Sequence, residues 1–398
     1  MKHRIVISIN SAWNIYNFRS GLIRALVESG YEVIAVSPDD AYVPRLKALG
    51  CTHVSLPMDT NGTHPGRDLL LLVRYFFLLR SLRPAAFLGY TVKPNVFGSI
   101  AAHALGIPVI NNIAGLGAAF IADNHLTKIV RGLYKFALKR SHRVFFQNGD
   151  DQQLFVQTGL VRTAISDLVP GSGIDLSQFI PKPPPPLAGR GFRFLLVGRM
   201  LKDKGVEEFI AAARLLRERF PHAQFQLLGS LDADNPNAVE CSTIEACVEE
   251  GIVAYLGETE DVRPYLANAD CVVLPSYREG VPRSLLEAAA MARPIIATNV
   301  VGCRDAVDDG VNGFLCKARD ARDLAAKMSR MIGLTVQGRM ALGAAGRRKV
   351  AVQFDEQIVI QRYVHALDAI ETLQPAHPDL VTGQAHRATE HEEPRKAA

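Results

Sequence analysis

The 398 residues exceed what one ordinary compact core holds and suit two domains of under about 200 residues each. Hydrophobic residues at 48% and charged residues at 21% exclude wholesale disorder, a collagen-like chain and a disulfide-scaffold peptide. The net charge of +5 is uneven, with 18 Lys and Arg against 11 Asp and Glu in residues 1–180 and 27 against 29 thereafter. The first half therefore faces something anionic. Without a basic run interleaved with aromatics or a nucleic-acid module, an anionic membrane surface or a phosphate-bearing substrate is the expected partner, and nucleic acid is not.

In chain order, Met1–Asn10 carries no small-residue cleavage site and does not read as a secretory signal. A strand over Ile5–Ile9, a helix over Phe18–Ser29 closed by Gly30 and a strand over Glu32–Ser37 make a βαβ opening. Asn61-Gly62-Thr63 fits a glycosylation sequon and is read as a turn. The apolar run Leu69–Leu82 is broken by Arg74 and Arg80, too short to span a bilayer, and its Phe76, Phe77 and Leu79 are expected mainly in the core. Strands over Ala86–Tyr90, Val109–Ile113 and Val144–Gln147, with helices between, complete a doubly wound parallel α/β domain over residues 1–180. Six cysteines without a Cys-x-x-Cys pair read as reduced thiols of a cytoplasmic protein, not as a zinc site.

The polyproline stretch from Pro181 to Pro186 marks a stiff linker over 181–190. A second alternation follows over 191–350: strand Phe192–Val197, helix Val206–Phe220, strands Gln224–Leu228, Ile252–Leu256 and Cys271–Pro275, helix Pro282–Ala292 and strand Pro294–Thr298. A helix over Gln353–Leu373, within a 351–373 segment free to pack back on the first domain, precedes a polar tail, 374–398, expected to be disordered. Two Rossmann-like domains in tandem leave a cleft between the carboxyl ends of their strands, where ligands sit in such sheets.

Two motifs point into that cleft. Gly198-Arg199-Met200-Leu201-Lys202-Asp203-Lys204-Gly205 joins a strand to a helix, so backbone N–H groups, a helix N-terminus and two cations converge as a phosphate site. A Gly-Arg turn near a Lys is also common on solvated surfaces. In Tyr277-Arg278-Glu279-Gly280-Val281-Pro282-Arg283-Ser284-Leu285-Leu286-Glu287-Ala288, Glu279 leaves a strand and Glu287 lies about one and a half turns into the next helix, so both reach one ligand. Taken alone, the pair also fits a surface helix with an acid at its N-terminus.

This pattern resembles the retaining family-4 glycosyltransferases, which carry Glu-x7-Glu in the second domain of a GT-B fold, and the resemblance runs from Ile5 to about residue 370. Pro170-Gly171-Ser172-Gly173-Ile174-Asp175 is similar to that family's crossing segment, and Pro294–Thr298 and Asp308–Phe314 look like further pieces of it. The resemblance implies that Arg199 and Lys204 hold the donor diphosphate beside Gly198, that Glu287 bonds the ribose, and that Glu279 contacts the donor sugar. It further implies that Gly280, Val281 and Pro282 bring backbone up to the sugar and β-phosphate, and that the loop at Gly257 receives the base. On the acceptor side, Ser11–Arg19, Tyr90–Asn95 and Asn111–Gly117 look like bacterial enzymes extending lipid-diphosphate-linked saccharides, among them N-acetylgalactosaminyltransferases acting on an undecaprenyl-diphosphate-linked amino sugar. Asn14, Tyr16, Arg19, Lys93 and Gly115 are the acceptor-side candidates. Trp13-Asn14 stands where many members have a Gly-Gly loop, and Ala114–Gly117 has no histidine.

The implied reaction transfers a hexose or N-acetylhexosamine from a UDP-sugar to a lipid-linked saccharide with retention, as in cell-surface polysaccharide synthesis. Arg199 and Lys204 replace a metal, no cofactor is expected, and Asp232-Ala233-Asp234 is read as a solvated loop. A nucleotide-sugar epimerase of the same fold and a non-catalytic sugar-nucleotide-binding protein are the rivals, whereas a glycosidase has no use for a diphosphate site. Lys128, Arg131, Lys135 and Lys139 fall within about 80° on a helical wheel, opposite Ile129, Leu133, Phe136 and Ala137. That cationic face reads either as an ordinary solvated one or as a peripheral contact with the inner face of a bacterial cytoplasmic membrane.

Overall fold

The computed structural model describes residues 3–59, 64–115, 125–183, 190–232 and 235–373. The sequon at 61–63, Leu116 and Gly117, Pro184–Pro186, Ala233 and Asp234, and the 374–398 tail lie outside the described residues.

The first domain is a seven-stranded, wholly parallel sheet. Its strands are β1 (Arg4–Ser8), β2 (Glu32–Ser37), β3 (Thr52–Ser55), β4 (Ala86–Tyr90), β5 (Val109–Ile113), β6 (Arg143–Phe146) and β7 (Ser166–Leu168), in the order β3-β2-β1-β4-β5-β6-β7. The connecting helices are α1 (Ala12–Glu28), α2 (Val43–Ala48), α3 (Pro65–Leu82), α4 (Ser99–Ala104), α5 (His125–Leu138) and α6 (Gly149–Gln157). Strands β4 and β5 are buried at every residue, as a parallel sheet covered on both faces requires. Helix α1 starts six residues before the sequence-read position because Ser11 caps it, its hydroxyl accepting from the Asn14 N–H at 3.1 Å.

The second domain has six parallel strands, β8 (Arg193–Val197), β9 (Gln224–Leu228), β10 (Ala254–Tyr255), β11 (Cys271–Leu274), β12 (Ile295–Thr298) and β13 (Gly313–Cys316), in the order β10-β9-β8-β11-β12-β13. They alternate with α7 (Val206–Arg217), α8 (Cys241–Glu249), α9 (Arg263–Asn268), α10 (Arg283–Ala290) and α11 (Cys303–Ala306), and α12 (Ala321–Gly333) and α13 (Val336–Gln353) follow. Each domain closes its own cores on the two faces of its sheet, and the reversal of strand order beside β1 and β8 opens the crevice where ligands bind.

The chain crosses between domains twice, and the crossings are bonded to each other. The Ile174 N–H donates to the Phe354 carbonyl at 2.9 Å, and the Glu356 N–H donates to the Ile174 carbonyl at 3.1 Å. Beyond the second crossing, α14 (Glu356–Leu373) packs on α1 and buries Tyr363 against Tyr90 and Phe145 in the first domain. Arg347 of α13 donates to the carbonyls of Leu176, Phe179 and Ala290, which fixes the first crossing to the second domain.

Two surface features differ from the sequence reading. On α5 the buried residues include Thr127, Val130, Tyr134, Ala137 and Leu138, while Ile129 and Phe136 are exposed on the same side as Lys128, Lys135 and, just past the helix end, Lys139. Arg131 is half-buried. On α3, Leu71, Tyr75 and Leu79 enter the core, but Leu69, Leu70, Val73 and Phe77 face outward, Phe77 at 64% exposure. By the 100° rotation of successive helical residues, Arg74 and Arg67 flank that apolar stripe on one side, and Arg80 falls within its span at the last turn.

Candidate active site

The ends of β8 and β11 set the cationic side of the site. After β8 the chain turns at Gly198, passes Arg199 and reaches Gly205, whose φ of +72° begins α7. A Cβ at Gly205 would lie 2.1 Å from the Pro275 carbonyl oxygen, so only glycine lets the two strand ends approach. That approach places the Lys204 ammonium 2.5 Å from the Glu279 carboxylate. The Tyr277 N–H and the Ser276 hydroxyl both donate to the Asp203 carbonyl, at 2.8 and 3.0 Å, and so fasten one loop to the other. Arg199 is more exposed and pairs with Asp232 at 3.0 Å. The Gly257 carbonyl accepts from the Gly229 N–H at 2.9 Å, which puts the loop after β10 beside the ends of β8 and β9.

Glu287 lies in α10 and is 9% exposed, bonded to Arg283 one turn earlier at 2.8 Å. Burial pushes its carboxyl above the usual glutamate range, against the pull of the Arg283 guanidinium. Arg283 also lies 5.2 Å from the Phe18 ring of the first domain. Val281 packs toward Gly171 of the crossing, and Pro282 begins α10.

The loop carrying Glu279 is seated on the first domain. A Cβ at Gly280 would stand 2.1 Å from the Ala114 carbonyl oxygen and 2.8 Å from Gln147 Oε1. The glycine is thus required by the opposite domain, a reason that sequence spacing alone does not carry. Asn148 donates to the Gly280 carbonyl at 3.3 Å while accepting from the Asp151 N–H as the cap of α6. Asp151 is fully buried and pairs with Arg278, the neighbour of Glu279; burial raises its carboxyl pKa and Arg278 opposes the rise. Asp150 and Arg304 add an exposed ion pair at 2.7 Å. None of Asn148, Asp150, Asp151, Arg278 or Arg304 was a sequence candidate, because each is defined by a partner more than 100 residues away. The i,i+4 spacing of Arg283 and Glu287 was the one such signal readable locally.

The acceptor-side candidates are spread along the first-domain wall. Asn14 bonds Asn10 at 2.9 Å. Tyr16 joins Tyr42 and Trp13 in an aromatic cluster, with Tyr16–Tyr42 and Trp13–Tyr42 centroids at 5.7 and 6.4 Å. Tyr42 and Arg45 reach Glu260 of the second domain, which closes the far rim of the cleft. Lys93 is engaged by Asp68 at 2.9 Å and Asp59 at 3.8 Å. It follows Thr91, held at φ +56° beyond β4, and precedes a single π-helical turn over Pro94–Gly98, a combination typical of functional strand ends. Gly115 meets the Gly280 backbone, and Arg19 is buried beneath the cleft. Lys128 and Lys135 are on the outer surface of α5 and Lys139 just past its end, with Arg131 half-buried at its edge.

Paired glutamates and two cations thus lie together at the strand ends of a two-domain α/β fold. Residues 4–148 match the family model described as glycosyl transferase 4-like, and residues 191–333 match that of the group 1 glycosyl transferases. Over 376 residues the chain is 31% identical to the N,N'-diacetylbacillosaminyl-diphospho-undecaprenol alpha-1,3-N-acetylgalactosaminyltransferase of Campylobacter jejuni, covering 90% of this chain and 96% of that protein. It is 26% identical over 269 residues to the UDP-Gal:alpha-D-GlcNAc-diphosphoundecaprenol alpha-1,3-galactosyltransferase of Escherichia coli, covering 64% of this chain and 68% of that one. Among solved structures, Anabaena HepE in complex with UDP and glucose superposes with a TM-score of 0.76 at 19% identity, covering 92% of this chain and 99% of that one. The chain is a glycosyltransferase of family 4 with the GT-B fold.

Proposed function

We propose that this glycosyltransferase moves a hexose or N-acetylhexosamine from a UDP-sugar to a lipid-diphosphate-linked saccharide, with retention and without a metal, in cell-surface polysaccharide or glycan synthesis. The observation that carries the reading is the Lys204–Glu279 pair at 2.5 Å beside Arg199, with the buried Glu287 one helix away. A donor diphosphate would take Lys204 from Glu279 and Arg199 from Asp232. The released Glu279 then accepts from donor-sugar hydroxyls, and Glu287 accepts from the ribose. As the bond to the β-phosphate stretches, the two cations stabilise the growing charge, and a phosphate oxygen takes the acceptor proton on the same face. The two relatives named above are called lipid-diphosphate-linked saccharide transferases, which supports the acceptor class.

We place the reaction at an anionic membrane surface, on the cytoplasmic side of a bacterial membrane. No helix among the described residues is long and apolar enough to cross a membrane. The arginine-flanked apolar stripe of α3 and the lysines beside Ile129 and Phe136 on α5 support peripheral contact.

The test is UDP release from a panel of UDP-sugars in EDTA, with and without a membrane extract containing lipid-diphosphate-linked saccharides. Acceptor-dependent release that disappears in Glu279→Ala, with the variant still folded, is the expected result. Lipid-independent conversion of the UDP-sugar favours the epimerase, and turnover at the normal rate in Glu279→Ala refutes the site.

A further inference from the structure

Arg19 occupies the middle of the buried face of α1, at 5% exposure, between Ile15 and Leu22. Its guanidinium carbon lies 4.3 Å from the centroid of the Tyr90 ring. Its Nε is sealed from solvent with no hydrogen-bond partner, and among the described residues no carboxylate pairs with the guanidinium. The buried Tyr90 hydroxyl faces that of Tyr363 and is engaged by it. A ring face compensates a cation less fully than a counter-ion does, so this charge is held at a cost that a leucine or methionine in its place would avoid.

The place of the two groups gives the cost a purpose. Tyr90 ends β4 and stacks on Tyr363, with centroids 6.0 Å apart. The Tyr363 hydroxyl accepts from Asn112 Nδ2 at 3.0 Å, and Asn112 Oδ1 accepts from Gln147 Nε2 at 3.3 Å. Gln147 in turn faces Gly280. Arg19 and Tyr90 therefore belong to the floor of the cleft, one connected layer away from the Glu279 loop. An arginine only donates, so the partner missing at the Arg19 Nε is an acceptor, and one that carries negative charge offsets the guanidinium.

We propose that Arg19, backed by the Tyr90 ring, forms an anion site that takes a phosphoryl oxygen of a substrate diphosphate. The identity of that ligand rests on the transferase reading; the existence of the site does not. Both the sugar nucleotide and the lipid-linked acceptor bear a diphosphate, and the experiment separates them.

Thermal unfolding is followed with inorganic pyrophosphate in an Arg199→Ala/Lys204→Ala background, which removes the cations of the donor motif. Pyrophosphate is expected to raise the melting temperature of that background and to have no effect once Arg19→Met is added. A shift that survives Arg19→Met, or one absent while Arg19 is present, overturns the site. Arg19→Gln keeps a polar side chain without the charge and should also abolish the shift, which keeps the test decisive if Arg19→Met fails to fold. Without ligand, Arg19→Met in the otherwise natural chain should melt no lower than the parent, because it removes an uncompensated charge; a merely structural arginine would lower it. In the transfer assay, at least a tenfold rise in acceptor KM with unchanged UDP affinity assigns the acceptor diphosphate. At least a tenfold loss of UDP affinity assigns the donor, and neither change overturns the substrate role. If no acceptor supports turnover while the pyrophosphate shift still depends on Arg19, the transferase reading fails and the anion site stands.

Discussion

Gly280→Ala tests whether the seating of the donor loop on the first domain matters for transfer. The added methyl would stand 2.1 Å from the Ala114 carbonyl oxygen, whereas real Cβ contacts do not fall below 3.0 Å. The loop and the opposite wall must separate by about 1 Å, a misplacement that costs on the order of 100-fold in rate, or about 2.7 kcal/mol of barrier. The Asn148 bond to the Gly280 carbonyl, 3.3 Å long, is lost with the same movement. Each domain keeps its own cores, so the melting temperature should hardly change. The proposed donor contacts of Lys204, Arg199 and Glu287 all lie in the second domain, so UDP affinity measured by calorimetry should persist. Trp13, the single tryptophan, reports closure because its neighbour Tyr42 donates to Glu260 across the cleft at 3.3 Å. UDP-dependent quenching of Trp13 should shrink in the variant while kcat falls. A variant with natural kcat, or one that loses UDP affinity as severely as kcat, would refute the reasoning.

Two further outcomes follow from charge and from surface. Burial raises the Glu287 carboxyl pKa, and in the proposed donor complex the carboxylate is the form that accepts hydrogen bonds from the ribose hydroxyls, so UDP affinity should decline on acidification while pH is still above the ordinary glutamate value of 4.5. Calorimetry from about pH 7.5 down to about pH 5 checks this, and Glu287→Gln should bind weakly with that pH dependence removed. By linkage, the same raised value means that Glu287 favours the folded state when protonated and loses that contribution as pH rises through its folded pKa. On α3, Phe77 is 64% exposed, and placing its ring in an interface is worth about 2 kcal/mol, roughly a thirtyfold change in partition. Phe77→Asp should therefore weaken sedimentation with vesicles of anionic lipid by at least that factor, while turnover with a short water-soluble acceptor is kept. Equal sedimentation of variant and parent would remove α3 from the docking surface.

What the sequence revealed is what is local in it. Lys204, Glu279 and Glu287 sit in strand–turn–helix contexts a dozen residues long, and the apolar alternation marked most central strands because their burial needs continuous Val, Ile and Leu. The edge strand β7, Ser-Asp-Leu, was not legible, whereas β10 was read as Ile252–Leu256 and pairs only over Ala254–Tyr255. Helix α13 was missed because Gly338, Gly343 and Gly346 interrupt any apolar stripe, although Gly343 is there to admit the Ala292 carbonyl. The wheel placed Ile129 and Phe136 on the buried side of α5 because cations and apolar residues were assumed to oppose each other. Packing instead chose Val130, Tyr134 and Ala137 and left the other two beside the lysines. Arg278 with Asp151 and Asn112 with Tyr363 are separated by 127 and 251 positions, and no periodicity carries information over such distances.

The second chain crossing joins these observations into one mechanical argument. Tyr363 belongs to α14, beyond the last helix of the second domain, yet it completes the floor of the first-domain wall through Tyr90 and Asn112. The strand that brings it there is bonded to the other crossing at Ile174 and runs past Gly173, where a Cβ would collide with the Glu356 backbone at 2.4 Å. A change in the angle between domains must therefore act where α14 begins, about two turns before Tyr363 in the same helix. The same motion loads or unloads the charged rim of Asp150 with Arg304 and Arg45 with Glu260, pairs exposed enough to break at small cost. The buried Asp151–Arg278 pair is different, since parting it leaves a carboxylate stranded without solvent. Opening is thus inexpensive at the rim and costly at the donor loop. That asymmetry favours a cleft that opens toward the rim formed by Glu260 while Gly280 stays close to its seat.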